Sequence, residues 1–168
     1  VLTGVRGVGK TTTARLIAMS INCQKRDTTS CEPCGDCDSC KSTGVDSNLD
    51  VIEMDAASNT GVDDIREIID NVKYKPIIGK YKIFIIDEVH MLSKSAFNAL
   101  LKTLEEPPQH VKFIFATTEV KKIPITVLSR CHRFDLIRIE NKILSDYLIN
   151  ISNEEKIDVD KDAISLIV

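Results

Sequence analysis

The sequence predicts an α/β domain built on a mainly parallel sheet of five strands. Two observations carry that expectation. Short apolar runs alternate with segments of helical periodicity along most of the chain. Two of those runs, "YKIFIIDE" and "VKFIFATT", are apolar without alternation, as expected of strands covered on both faces.

The elements follow in order. Residues 1–3 form the end of a strand, and "GVRGVGKT" is a glycine-rich loop. Residues 10–22 are helical, with Ala14, Ile17, Ala18 and Ile21 at compatible spacing. Residues 23–48 are a polar, cysteine-rich insertion. "DVIEMDA" is the second strand, and "VDDIREIIDNV" sets Ile65, Ile68, Ile69 and Val72 on one helix face. After the strand "YKIFIIDE", Ser93 can cap a helix carrying Ala96, Phe97, Leu100, Leu101 and Leu104, which "EEPP" ends. "VKFIFATT" is the fourth strand, "PITVLS" a short helix and "HRFDLIRI" the fifth strand. From Asn141 the pattern is helical, with a break over 153–159.

Bulk properties narrow the classes of function. The 168 residues suffice for one domain with a sizeable core. The formal net charge of -3 opposes an isolated basic nucleic-acid module, so any DNA contact needs a local patch or a partner. No apolar run approaches the roughly 18 residues of a membrane span, and the start "VLTGVRGVGK" is not a signal peptide. The expected location is the cytoplasm, where closely spaced cysteines bind metal more often than they pair. The lack of an initiator Met points to a piece of a longer chain.

Gly4, Gly9, Lys10 and Thr11 satisfy G-x-x-x-x-G-K-[ST] between a strand end and a helix. In such a loop the backbone N–H groups of Gly4, Val5, Arg6, Gly7, Val8 and Gly9 turn toward phosphate oxygens, joined by Lys10, Thr11 and Thr12 at the helix N-terminus. Lys10 supplies charge to the β- and γ-phosphates, and the Thr11 hydroxyl can ligate magnesium. Asp87, ending "FIIDE", is the second magnesium ligand, and Glu88 is placed to orient or deprotonate an attacking water. Thr118, or secondarily Thr117, can contact that water or the γ-phosphate from the tip of the next strand. His90 is read as structural. Alone, "DEVH" also resembles a helicase box.

The stretches "RGVGKT", "DAASNTGVDDIR", "IFIIDEVHMLSKSAFNALLKTLEEPPQHVKFIFATTE" and "VLSRCHRF" together resemble the gamma/tau subunit of bacterial DNA polymerase III, the AAA+ motor of the sliding-clamp loader. The resemblance covers residues 1 to about 150. It implies an AAA+ ATPase domain over 1–140 and the start of a helical lid over 141–168. It implies ATP, Mg2+ and Zn2+ as cofactors, and as partners the other clamp-loader subunits, the sliding clamp and primed DNA. Ser129, Arg130 and Cys131 match the family's "SRC" motif, in which the Arg acts in trans on a neighbour's ATP. Cys131 is then a packing residue. Lys102 is a weaker candidate for the same interface or for DNA.

The family also carries a zinc module after the first helix, here about 23–41, with Cys23, Cys34, Cys37 and Cys40 as the implied ligands. Cys31 offers a rival set, and the evenly spaced run also resembles part of an iron–sulfur pattern. Cys23 is the expected fourth ligand, because it would clip the insertion to the core. Four thiolates make a closed, structural site. The family's upstream adenine-holding segment lies before Val1 and the later lid arginine beyond Val168, so weak nucleotide binding and little hydrolysis are expected of this piece alone. The competing functions are a DExH-type helicase fragment and a catalytically inactive structural subunit of the loader.

Overall fold

A computed structural model describes residues 1–26, 31–44 and 47–168, the Lys161 side chain apart. Parts of the predicted insertion, residues 27–30 and 45–46, lie outside the described residues. The chain divides into two compact units, Val1–Leu136 and Ile137–Val168.

The first unit holds strands β1 (Leu2–Thr3), β2 (Val51–Asp55), β3 (Lys82–Asp87), β4 (Val111–Thr117) and β5 (Phe134–Asp135) in one parallel sheet of order β2-β3-β4-β1-β5. Helices α1 (Lys10–Asn22), α2 (Asp38–Gly44), α3 (Val62–Val72), α4 (Lys94–Glu105) and α5 (Ile125–Leu128) complete it. β3 is covered on both faces, and Ile83, Phe84, Ile85 and Ile86 are each fully buried. Alternate residues feed two cores. Phe84 and Ile86 pack with Ile65, Ile68 and Val72 of α3 and with Phe97 and Leu100 of α4. Ile83 and Ile85 pack with Ala14 and Ala18 of α1.

Local chemistry sets the helix ends. The Ser93 hydroxyl accepts the Ala96 N–H at 3.2 Å and caps α4. The Asp64 carboxylate accepts the Gly61 N–H at 3.1 Å ahead of α3. Two elements differ from the sequence reading. β5 is two residues rather than eight, because its ladder partner β1 offers only Leu2 and Thr3. α2 forms inside the insertion, which the sequence left without a helix. Cys37 immediately precedes it and Cys40 lies in its first turn, three positions on, and Lys41 N–H bonds the Cys37 carbonyl at 3.0 Å.

The second unit holds α6 (Asn141–Glu154) and α7 (Lys161–Ile167), with Ile164 buried. The Asp160 carboxylate caps α7 by accepting the Asp162 N–H at 3.2 Å.

Candidate functional site

The C-terminal ends of the strands meet the loop after β1 in a cleft of about 950 Å3. This is where a parallel α/β sheet places its ligands. Val5, Arg6, Gly7, Gly9, Lys10, Thr11, Thr12, Asp87, Glu88 and Thr118 line it. Gly4 and Val8 are not among the lining residues, and Gly4 enters through its carbonyl.

Backbone geometry explains the loop. A Cβ on Gly4 would come within 2.6 Å of the Leu136 carbonyl oxygen, so only glycine fits between β1 and the chain after β5. Gly9 takes φ 90° at the start of α1 and offers no side-chain cap. The first N–H groups of α1 therefore face the cleft without a side-chain acceptor, at the positive end of the helix dipole. The buried Lys10 reaches back along the loop, its Nζ donating to the Gly4 and Val5 carbonyls at 3.1 Å each.

Two polar pairs stand opposite the loop. The Thr11 hydroxyl donates to Asp87 Oδ2 at 2.5 Å, bringing together the two groups read as magnesium ligands. Asp87 Oδ1 accepts the Glu88 N–H at 2.8 Å. Glu88 itself adopts the left-handed conformation, φ 44° and ψ 43°, which is costly for a residue with a Cβ and turns its side chain off the strand direction. Its Oε2 accepts from the Thr118 backbone N–H at 3.1 Å and hydroxyl at 2.9 Å. Thr117 is wholly buried and serves other groups: its Oγ1 accepts the Glu119 N–H and meets His90 Nδ1.

Asp55 also lines the cleft and was missed. Its position at the end of the strand beside β3, in register with Asp87, was the available signal. Its carboxylate holds the turn that follows, accepting from the Ala57 N–H at 2.8 Å and the Ser58 hydroxyl at 2.9 Å.

Arg130 stands apart from this cleft. It lines a separate cavity with Val1, Leu104 and Phe113, and its guanidinium pairs with Glu105 at 2.7 Å. Cys131 packs beside the larger core. Lys102 lies exposed on α4.

The Sγ atoms of Cys23, Cys34, Cys37 and Cys40 all lie within 4.8 Å of one another. A tetrahedral zinc–thiolate site with bonds of about 2.3 Å has S···S edges of about 3.8 Å, so the cluster fits a zinc ion with little adjustment. Backbone N–H groups support the sulfurs, Cys34 N–H on Cys23 and Cys37 N–H on Cys34, each at 3.4 Å. The Cys34 amide lowers the Cys23 thiol pKa. At Cys37 burial acts upward, but hydrogen bonds from the Gln24 and Cys40 backbones and from neighbouring thiols outweigh it and bring the pKa to about 6. At Cys40 burial and the Cys37 contact push it up to about 12. Cys31 is exposed and outside the cluster; its carbonyl instead accepts the Ser20 hydroxyl of α1.

Fold and site define a parallel five-stranded α/β domain of the AAA+ P-loop class, with a four-cysteine cluster after its first helix. The chain belongs to the family described as "DNA polymerase III, delta subunit", whose model matches residues 1–140. Among individual relatives it is 52% identical over 154 residues to the DNA polymerase III subunit tau/gamma of Haemophilus influenzae, covering 92% of this chain and 22% of that protein. It is 50% identical over 164 residues to the tau subunit of Escherichia coli, covering 98% and 25%. The chain thus spans about a quarter of the length of these relatives. Among solved structures, a DNA polymerase III gamma subunit-related protein of Thermotoga maritima matches with TM-score 0.57 at 22% identity, covering 87% of this chain and 43% of that one. The RuvB Holliday junction branch migration motor of Thermotoga maritima matches with TM-score 0.62 at 17% identity, covering 97% and 45%. At these identities the structural likeness speaks for the fold. Among the described residues no helix is long and apolar enough to cross a membrane.

Proposed function

We propose that this chain is the ATP-binding and hydrolysing part of a bacterial clamp-loader subunit, a motor that with its partner subunits loads a sliding clamp onto primed DNA during replication. One observation supports the catalytic part: the Thr11–Asp87 pair at 2.5 Å and the Thr118–Glu88 pair at 2.9 Å line one cleft with the glycine-rich loop.

The loop amides and Lys10 bind the phosphates, Lys10 exchanging the Gly4 and Val5 carbonyls for phosphate oxygens. Thr11 and Asp87 would hold magnesium, which supplies charge to the β- and γ-phosphate oxygens. Glu88 accepts a proton from water as the water oxygen bonds to the γ-phosphorus and the bond to the bridging oxygen breaks. Thr118 holds Glu88 in place. Arg130, outside its own cleft, serves a neighbouring subunit, where a guanidinium offsets charge developing on the transferred group. The four thiolates would hold zinc in a closed site that supports the fold and takes no part in hydrolysis.

The test uses the full-length parent in its assembled complex. ATP turnover is measured with and without clamp and primed DNA, for the native protein and for Glu88→Gln. Turnover that rises with clamp and DNA and is abolished in Glu88→Gln supports the proposal. Indifference to both ligands sinks the clamp-loader role.

A further inference from the structure

We propose that His90 is a positioning residue for Glu88, fixing which carboxylate oxygen is left to take the proton from water. The inference rests on the proposed role of Glu88 as the base.

His90 lies just after β3, and its side chain is only 6% exposed. Its Nδ1 is 2.9 Å from Thr117 Oγ1 and 3.2 Å from Glu88 Oε2, and its Nε2 is 3.6 Å from Glu119 Oε1. An ionised carboxylate only accepts hydrogen bonds, so the Nδ1–H tautomer is the one that suits a place beside Oε2. His90 Nδ1, hydrogen-bonded to Thr117, is thus a third polar group against Oε2, beside the two donors from Thr118, its amide and hydroxyl. Among the described residues none donates to Glu88 Oε1. One oxygen is therefore saturated and the other kept open, as proton abstraction requires.

The left-handed backbone of Glu88 makes such support necessary. A side chain on a strained residue at a strand end has no neighbouring ladder residue to hold its rotamer. Thr117 is wholly buried at the end of β4, and it anchors the imidazole from the other side. Local pattern does not reveal this role, because the residues around His90 other than Glu88 are 27 positions or more away along the chain.

Replacing His90 by Asn keeps an amide donor near the Nδ1 position, whereas Gln carries the same amide out to the Nε2 position. In the full-length parent within its complex, saturating turnover, ATP dissociation constant and melting temperature are measured for His90→Asn, His90→Gln and His90→Ala, beside Glu88→Gln. His90→Asn is expected to hold turnover within about threefold. Gln and Ala are expected to lose on the order of 10- to 100-fold at unchanged ATP affinity, the scale of a misplaced catalytic group. Equal turnover in Asn and Gln, a loss residing in ATP affinity, or a loss that tracks the melting temperature would overturn the assignment. Native turnover in Glu88→Gln would instead remove the base on which the inference stands. Abolished turnover in Glu88→Gln with native turnover in His90→Gln would sink the role of His90 alone.

Discussion

Glu88 shows how much chemistry one carboxylate draws from its neighbours. Its position was legible because an acid pair ends a buried apolar run. The threonines at the tip of the next strand were legible only as contacts for the water or the γ-phosphate, Thr118 before Thr117, and not as partners of Glu88. The end of β4 separates the two: Thr117, its last residue, is wholly buried, and Thr118, one position past the strand, lines the cleft. Thr118→Val keeps the shape and deletes the hydroxyl that donates to Glu88. A hydrogen bond to a charged group contributes about 1.5–3 kcal/mol, so the loss of turnover should be about 10- to 100-fold with ATP affinity unchanged. Thr118→Ser should retain most activity. Turnover assays with a parallel nucleotide-binding titration check both, and equal activity of the Val and Ser variants would exclude the contact from the mechanism.

At the scale of elements, the insertion and the central helices make opposite demands. α3 and α4 are held by burial: Leu100 is fully buried against Phe84 and Phe97. Leu100→Ala should destabilise the domain by about 2–5 kcal/mol, read in denaturant melts. The insertion offers little apolar surface, and its order is expected to come from the four thiolates. Elemental analysis should find zinc in the native protein and in Cys31→Ser but not in Cys23→Ser. Chelation should cost helix content and melting temperature in native protein and leave Cys23→Ser unchanged. Zinc retained in Cys23→Ser would remove the proposed link between α1 and the insertion. The spacing made three members of the cluster legible. For the fourth, the family resemblance and the clip to α1 pointed to Cys23 with Cys31 as the alternative, and the cluster contains Cys23.

At the scale of the whole molecule, Arg130 is the residue proposed to act outside its own subunit. Its pairing with Glu105 joins two partly exposed side chains, with relative exposures of 34% and 49%, and such pairs contribute about 0–1 kcal/mol. Releasing Arg130 toward a neighbour is therefore inexpensive. Arg130→Ala should leave the melting temperature nearly unchanged. In complexes that mix Arg130→Ala with native subunits, hydrolysis should fail at the neighbour's site and persist at the mutant's own. Failure confined to the mutant's own site would refute action in trans.

The sequence by itself determined the layered α/β class, the glycine-rich loop before α1, the acid pair and the Ser93 cap of α4. These depend on periodicity and on residues within a few positions of each other. Only the tertiary structure decided that Cys23 rather than Cys31 joins the cluster, that Thr118 rather than Thr117 meets Glu88, and that His90 stands behind the same carboxylate. Each of these depends on side-chain direction at the end of an element and on partners brought close by the parallel sheet, which local pattern does not encode.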